Sequence, residues 1–213
     1  MDSAETLKLL ASQMSFEADG ESSPACFSAR EREQAFIHPA QLPNGQKVML
    51  LKTLLSSVCE RDCLYCPFRA GRDFRRATFK PGEFASLFAK LSAANLAGGI
   101  FLSSGVAGGG IRSMDQLLAA AEILRVKYQY RGYVHLKIMP GAEKEQVFRA
   151  MQLADRVSIN LEAPNAGRLA MLAPRKVSFE ELLQPLKWAE EFRRSVPAFK
   201  FWKGRAPSTV TQF

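Results

Sequence analysis

The 213-residue sequence predicts an α/β fold built around a parallel sheet. From about residue 47 onward, apolar runs of strand length alternate with amphipathic stretches of helix length, which is typical of repeated βα units. The composition indicates a folded domain, because 47% hydrophobic and 23% charged residues are ordinary values for a globular chain. A chain of this length is the size of one sizeable domain.

Five strands are predicted from the short apolar runs. They are Val48–Leu55, Gly99–Ser103, Tyr133–Ile138, Arg156–Leu161 and a fifth that begins at Ser208. Successive parallel strands with crossovers fit either an open doubly wound sheet or a barrel, and periodicity alone does not separate the two. Both architectures place ligand sites at the carboxyl ends of the strands.

Helices are predicted between the strands. Pro81 suits the first turn of one helix, and Ser113 is placed to cap the next. Two further helices are predicted at Glu143–Leu153 and Ser178–Arg194.

The segment before the first predicted strand has a different character. Residues 17–47 are rich in polar and turn-forming residues. We therefore expect an irregular lead-in over residues 1–46 and a compact domain over residues 47–213.

Composition and charge exclude some classes of protein. No apolar stretch approaches the roughly 18 residues of a membrane span, and Met1–Phe16 lacks the basic start and apolar run of a secretory signal. We therefore expect a soluble, cytoplasmic protein without a membrane partner. The 29 Lys and Arg against 21 Asp and Glu give a net charge of +8, which favours contact with a phosphate-bearing substrate or nucleic acid. The oligomeric state is left open.

The strongest motif follows the first predicted strand. Cys59, Cys63 and Cys66 lie within eight residues, on a loop at the end where a ligand site is expected. Because the cytosol keeps thiols reduced, disulfide bonds are disfavoured. Three closely spaced thiolates are suited to hold three irons of a cubane cluster and to leave the fourth iron without a protein ligand.

Two alternatives for these cysteines remain open at this point. One is a zinc site, for which the spare ligands are Cys26, His38 and His135, none of them at a customary spacing from the three thiols. The other is a set of inert thiols on one helix face, since spacings of four and three residues share a face.

The segment Cys59-Glu-Arg-Asp-Cys63-Leu-Tyr65-Cys66 matches the CxxxCxΦC motif of the radical SAM superfamily, and it lies, as there, directly after the first strand. The chain resembles that superfamily, and within it the branch of DNA modification or repair proteins. The stretches that carry the closer resemblance are Leu51–Leu55, Phe101–Gly105, Arg131–Gly141, Ala154–Glu162 and Thr211–Phe213.

The resemblance implies a partial (βα)6 barrel of the TIM-like kind, with parallel strands and truncated before its last strand. It also implies a 4Fe-4S cluster on the three cysteines, and S-adenosylmethionine (SAM) on the fourth iron. An electron from a flavodoxin- or ferredoxin-like one-electron reductant would then cleave SAM to a 5′-deoxyadenosyl radical. The implied substrate is DNA or a nucleotide. The alternative function is a non-catalytic zinc or iron-sulfur module that binds nucleic acid.

The resemblance further assigns SAM contacts near the cysteines. Tyr65 is the aromatic residue of the motif. Ser103, Ser104 and Gly105 end the second predicted strand, where the superfamily has a Gly-Gly-Glu-like segment against the SAM methionine, although the acidic residue is missing here. The alternative for this segment is a turn that needs glycine for positive φ.

Two more strand ends carry candidate SAM ligands. Asn160 and Glu162 point to the same side of the fourth predicted strand, where the superfamily contacts the SAM ribose. The alternative is that Glu162 is a solvated loop residue. His135 and Lys137 alternate on the third predicted strand, so both would face the interior and meet the SAM carboxylate or a substrate anion. The alternative for Lys137 is an ion pair with a carboxylate such as Glu162.

Two basic segments are candidate nucleic-acid contacts, and each has an alternative interpretation. The first follows the cysteines and consists of Arg69, Arg72, Arg75, Arg76 and Lys80. It would hold phosphates or form a solvated face. The second, Phe199–Arg205, interleaves aromatic rings with cations, as single-strand binders do, although packing under the barrel explains it equally well.

Overall fold

The computed structural model describes residues 2–14, 37–41, 45–174 and 178–212. The helices are α1 (Ser3–Gln13), α2 (Pro81–Ala93), α3 (Gly110–Glu122), α4 (Lys144–Leu153), α5 (Ala166–Leu172) and α6 (Phe179–Ser195). The strands are β1 (Ile37–Gln41), β2 (Lys47–Leu54), β3 (Gly99–Ser103), β4 (Tyr133–Lys137), β5 (Arg156–Asn160) and β6 (Ser208–Gln212). Among the described residues, no helix combines the length and the apolar character that crossing a membrane requires.

The six strands form one sheet in the order β1-β2-β3-β4-β5-β6. Strands β2 to β6 are parallel to their neighbours, while β1 runs antiparallel to β2. The spatial order follows the chain order without the reversal that defines a doubly wound sheet. The predicted partial barrel of parallel strands is therefore confirmed, with β1 as an additional antiparallel edge strand.

The helix starts follow local sequence signals with one exception. Pro81 occupies the first turn of α2, and the Ser178 side chain accepts a hydrogen bond from the Glu181 amide at the start of α6. The prediction that Ser113 caps a helix is wrong, because α3 begins at Gly110. The Ser113 hydroxyl instead accepts from the Ala107 amide at 2.9 Å and holds the chain that leads into the helix.

The expectation of an irregular lead-in is wrong for the described part of residues 1–46. Asp2 and Glu5 form a reciprocal capping box, and α1 buries Leu10 in the core. Strand β1 tolerates Pro39 because it is an edge strand, where a missing amide donor is not costly. Cys26 lies outside the described residues.

The parallel strands present two different faces. Residues such as Thr53, Leu102, Leu136 and Val157 are buried on the face that packs in a common core with helix residues. The residues that alternate with them along each strand form the other face, which we call the inner face. Five of its residues lie side by side on neighbouring strands, from β2 to β6: Lys52, Phe101, His135, Arg156 and Ser208. This level of the inner face therefore places Lys52, His135 and Arg156 beside the apolar ring of Phe101.

The amino ends of the strands are closed by a buried arginine. Arg125 donates to the Leu153 carbonyl at 3.0 Å, to the Tyr130 and Gly132 carbonyls at 2.8 Å, and to the Asp155 carboxylate at 3.0 Å. Burial lowers the pKa of Arg125, and the charge of Asp155 opposes this change.

The aromatic residues of 199–205 contribute to the same end of the molecule. The Trp202 ring stacks on the Arg125 guanidinium at 3.9 Å, and Phe201 is buried beside Phe148. These contacts support the packing interpretation of Phe201 and Trp202. Phe199, in contrast, is exposed.

Candidate active site

The three cysteines lie on a long loop, Val58–Arg76, that leaves β2 and returns beside it; we call it the cysteine loop. Its base is closed by backbone hydrogen bonds from the Ser57 amide to Ala77 at 3.0 Å and from the Phe79 amide to Leu55 at 2.8 Å. The loop is thus held as an extension of the sheet at the carboxyl ends of the strands.

Arg76 organises the interior of the cysteine loop. Its guanidinium donates to the carbonyls of Ser57, Phe68, Arg69 and Arg72 at distances of 2.7 to 3.4 Å. An arginine that binds four carbonyls of its own loop has a structural role. Arg76 is therefore neither a phosphate contact nor part of a solvated face, which were the two interpretations of its basic segment. Of the remaining cations of the segment, Arg69 is half-buried, and Arg72, Arg75 and Lys80 are exposed.

Cys59, Cys63 and Cys66 are half-buried, and none of them forms a disulfide bond among the described residues. The segment that carries them has turns but no helix, so the interpretation as inert thiols on a helix face is wrong. Within the described ranges, no three His, Cys, Asp or Glu side chains converge on a point that could hold a single metal ion. The described residues therefore offer no ready-made zinc site, whereas three thiols that each bind a different iron do not need to converge on one point.

The end of β3 packs directly behind the first cysteine. The Gly105 amide donates to the Ser56 carbonyl at 2.6 Å, and a Cβ at Gly105 would lie 2.3 Å from the Val58 carbonyl oxygen and 3.2 Å from the Cys59 Cβ. Glycine is needed here because two backbones approach closely, and not for a positive φ, so that alternative is wrong for Gly105. Ser103 is fully buried, and the Ser104 hydroxyl donates to the Gly105 carbonyl at 2.9 Å.

Two charged side chains, Glu60 and Arg61, join the cysteine loop to neighbouring units of the fold. The Glu60 carboxylate accepts from the amides of Gly108 and Gly109 at 3.1 and 3.2 Å, where both glycines adopt positive φ. Arg61 forms a two-pronged ion pair with Glu181 of α6. The sequence analysis missed these contacts, because nothing in local periodicity marks a pair that is separated by 120 positions.

A cleft lies beside the cysteine loop. Its volume is about 270 Å³, and it is open to solvent. Three predicted cofactor-binding residues line it, namely Lys137, Asn160 and Glu162. The rest of the lining is Ile138, Met139, Pro140, Ile159, Glu181, Leu182 and Pro185. The structure thus brings together the predicted residues of β4 and β5, while Ser103, Ser104 and Gly105 lie behind Cys59 and do not line the cleft.

Glu162 connects the cleft to the cysteines. The Tyr65 hydroxyl lies within hydrogen-bonding reach of both the Glu162 carboxylate and the Cys63 thiol, and burial together with the charge of Glu162 raises the pKa of Tyr65. Glu162 is half-buried and has a φ of 63°, a strained conformation for a residue other than glycine. Glu162 is thus a loop residue, as the alternative expected, but its carboxylate also contacts Tyr65.

The same contacts act on the thiol of Cys63. Burial raises the pKa of Cys63, the hydrogen bond from Tyr65 opposes the rise, and the charges of Glu162 and Cys59 add to it. The thiol is thus protonated in the metal-free chain. Metal coordination would deprotonate it, as it does for coordinating thiols generally.

His135 lies on the inner face, with its ring 4.4 Å from the ring of Phe101. Part of the residue is exposed, but its Nε2 is buried and has no hydrogen-bond partner among the residues that the structure describes. Burial lowers the pKa of His135 to about 3, and the positive charges of Arg156, Lys137 and Lys52 act in the same direction. The predicted common orientation of His135 and Lys137 agrees with their register on β4.

The sequence matches a protein-family model described as the Radical SAM superfamily. The match covers residues 53–198, which is more than half of the chain. The search of curated proteins found no match.

Solved structures support the fold. The FeFe-hydrogenase maturase HydG from Carboxydothermus hydrogenoformans matches with a TM-score of 0.56 and 19% identity, over 67% of this chain and 33% of that one. Methylornithine synthase (PylB) matches with a TM-score of 0.53 and 13% identity, over 90% of this chain and 49% of that one. This chain therefore spans a third to a half of the length of these proteins, and at such identities the likeness establishes the fold alone.

Proposed function

This chain belongs to the radical SAM superfamily, and we propose that its carboxyl-end loops bind a 4Fe-4S cluster and SAM for the chemistry of that superfamily. Members of the superfamily use both cofactors. One observation carries the proposal. Tyr65 contacts both the Cys63 thiol of the cysteine loop and the carboxylate of Glu162, which lines the cleft. When bound, the cluster supplies one electron that splits SAM into methionine and a 5′-deoxyadenosyl radical.

The donor set of the cysteine loop fits such a cluster. Cys59, Cys63 and Cys66 lie on one loop without forming a disulfide bond among the described residues, and Arg76 and Gly105 hold that loop in shape. Each thiol would hold one iron. Since a cubane cluster has four irons and the three thiols would hold three of them, the fourth iron would be left for SAM.

The cleft has the chemistry that SAM requires. The amide of Asn160 and the carboxylate of Glu162 suit the two ribose hydroxyls, and the ammonium of Lys137 suits a carboxylate. Met139 and Leu182 add apolar surface. We assign the segment Ser103–Gly105 to the methionine end of SAM, because it lies directly behind Cys59.

The substrate class is the finer part of the proposal. We assign the chain to DNA or nucleotide modification or repair, with a flavodoxin- or ferredoxin-like protein as the reductant that radical SAM enzymes generally need. The net charge of +8 and the exposed cations Arg72, Arg75 and Lys80 beside the cysteine loop support a polyanionic partner.

Anaerobic reconstitution tests the cofactor assignment. The wild-type chain is expected to turn brown, to bind about four irons and to release 5′-deoxyadenosine from SAM after reduction with dithionite. Cys63→Ala is expected to lose both the cluster and SAM cleavage, whereas Cys26→Ala is the matched control and keeps both. A colourless protein with one zinc, or a full cluster in Cys63→Ala, would show the proposal to be wrong.

A further inference from the structure

The ion pair between the cysteine loop and α6 is shielded from solvent. Arg61 lies between the first two cysteines of the loop, and both of its terminal nitrogens meet the Glu181 carboxylate. These two side chains are 15% and 22% exposed. Glu180, the preceding residue of α6, pairs with Lys187 where the side chains are 63% and 53% exposed. Because opposite charges attract each other more strongly away from water, the shielded pair can fix two units in place, whereas the exposed pair contributes little.

The Arg61 guanidinium depends on this one carboxylate. Its Nη1 donates to Glu181 Oε2 at 3.3 Å, and its Nη2 contacts Glu181 Oε1. Its Nε is buried and has no hydrogen-bond partner among the residues that the structure describes. Loss of the Glu181 charge would therefore leave a largely buried cation uncompensated, which is more disruptive than the loss of an exposed pair.

The pair lies where the cysteine loop meets the cleft. Glu181 is one of the residues that line the cleft. Gly141, just after β4, packs against the pair with a φ of 82°, and a Cβ there would lie 3.0 Å from Glu181 Oε1 and 3.7 Å from Arg61 Nη2. The Arg61 carbonyl also accepts from the Ala70 amide at 2.7 Å, so its backbone links two parts of the cysteine loop. The position of the loop is thus coupled to the wall of the cleft.

Glu60 holds the same part of the loop from another side. Its amide donates to the Val106 carbonyl at 2.8 Å, and its carboxylate accepts from the amides of Gly108 and Gly109. The two residues that follow the first cysteine therefore bind two different units, the turn after β3 and helix α6. Contacts on two sides restrict the movement of the loop more than either contact does alone.

We propose that Arg61 and Glu181 are positioning residues, which set the cysteine loop against the cleft so that cluster and SAM meet in one geometry. This proposal rests on the proposed function for both cofactors. SAM would bind the fourth iron and the cleft at the same time, so its affinity depends on the separation of the loop from the cleft. A loop that is displaced by about 1 Å keeps its three thiols but loses that geometry.

Removal of either charge is the first test, on the reconstituted 213-residue chain. Glu181→Gln and Arg61→Gln are each expected to keep about four irons and to bind SAM about tenfold more weakly or worse. Equilibrium dialysis measures the affinity. Electron paramagnetic resonance of the reduced cluster checks it independently, since the spectral change caused by SAM is expected to shrink. Glu180→Gln is the matched control on the same turn of α6 and is expected to bind SAM like the wild type.

Two results of this experiment overturn the proposal. One is wild-type SAM affinity in folded Glu181→Gln and Arg61→Gln. The other is a loss of iron in proportion to the loss of SAM binding, which would show that the pair only keeps the cysteine loop folded.

Exchange of the two charges separates positioning from direct contact. Arg61→Glu and Glu181→Arg are each expected to weaken SAM binding, and the double variant is expected to recover at least part of the affinity, because it restores an ion pair at the same place. No recovery in a folded double variant would assign Glu181 to direct contact with SAM and overturn its positioning role.

A pair of glycine variants keeps both charges and serves if the charge variants do not fold. Gly141→Ala pushes a methyl group against Glu181 and is expected to weaken SAM binding by about 3- to 10-fold. Gly45→Ala is the matched control, because Gly45 has a similar φ of 81° and nothing within 4 Å of the added Cβ. It therefore reports the effect of backbone strain alone. Equal SAM affinities in the two variants would contradict the positioning role of the pair.

The two proposals fail separately in these experiments. A wild-type chain that binds no cluster or does not cleave SAM contradicts the proposed function. A wild-type chain that does both, with Glu181→Gln and Arg61→Gln variants that bind SAM equally well, contradicts only the positioning role.

Discussion

Each end of the parallel strands is organised by an arginine, but the surroundings of the two arginines differ. At the amino ends, Arg125 has a carboxylate partner in Asp155 and three carbonyl partners, and Lys203 adds a contact to the same carboxylate at 2.8 Å. At the carboxyl ends, Arg76 binds four carbonyls of one loop. The first arginine joins separate elements of the fold, and the second shapes a single loop.

The polar groups around the two arginines differ as well. Among the described residues, Arg61 Nε and Asp62 Oδ1 of the cysteine loop are buried without a hydrogen bond, as are His135 Nε2 and Ser158 Oγ on the inner face. At the amino ends the corresponding group is Trp202 Nε1, whose ring stacks on Arg125. The comparison teaches that the amino-end network pairs its buried charges within the fold, whereas more of the buried polar atoms of the cysteine loop and the inner face lack a partner among the described residues.

The largest expected effect concerns the amino-end network. Arg125→Met is expected to lower the free energy of unfolding by about 3 to 5 kcal/mol, because it leaves three buried carbonyls without their donor and removes the buried cation that pairs with the Asp155 carboxylate, which keeps only Lys203 and the Val134 amide. Arg149→Met is the matched control, since Arg149 pairs with Glu122 at an exposed site (42% and 41%) and its loss is expected to cost less than about 1 kcal/mol. Urea denaturation measures both. Equal effects would remove the distinction between a buried and an exposed pair.

Arg76→Met addresses the carboxyl-end arginine. Loss of four hydrogen bonds from a charged donor is expected to cost about 2 to 3 kcal/mol and to reduce the iron retained after reconstitution. Arg72→Met, which alters an exposed arginine of the same loop, is expected to change stability by less than about 0.5 kcal/mol. Iron content and urea denaturation check the pair. Full iron retention in Arg76→Met would show that the cysteine loop keeps its shape without this residue.

A pair of glycine variants tests the close approach behind Cys59. Gly105→Ala is expected to destabilise the fold by about 1 to 3 kcal/mol, because the added methyl group meets the Val58 carbonyl. Gly167→Ala lies in α5, where the nearest atom to the new Cβ is 3.5 Å away, and is expected to be neutral or stabilising by up to about 1 kcal/mol. Thermal unfolding compares them. Opposite signs are expected, and a neutral Gly105→Ala would contradict the packing of β3 against the cysteine loop.

The smallest expected effects concern the cleft. Asn160→Ala and Glu162→Ala are each expected to weaken SAM binding by about 3- to 10-fold, through the loss of one or two hydrogen bonds, and to leave the iron content unchanged. Equilibrium dialysis with SAM on the reconstituted protein measures the change. Glu145→Ala removes an exposed carboxylate of α4 and is the control. Wild-type affinity in the Asn160→Ala, Glu162→Ala double variant would exclude both residues from the SAM site.

Local sequence signals were sufficient for the positions of the parallel strands along the chain and for most helix starts. Strands and helices have different periods, and Pro81 and Ser178 act within one turn of the chain, so neither needs a distant partner. Ser113 misled the prediction because a serine that caps a helix and a serine inside the first turn look alike in sequence. Strand β1 was missed because its Pro39 resembles a loop signal until the pairing with β2 is known.

The features of the candidate site likewise separate into those that local sequence predicts and those that depend on tertiary contacts. The sequence by itself predicted the three cysteines, Lys137 and Asn160 as candidates, because close spacing and strand alternation are local properties. Only the tertiary structure decided that Arg76 is structural, that Gly105 is required by a close approach, and that Glu181 pairs with Arg61. It also decided between an open sheet and a barrel, through the strand order. These features depend on contacts between distant segments, and such contacts exist only once the chain has folded.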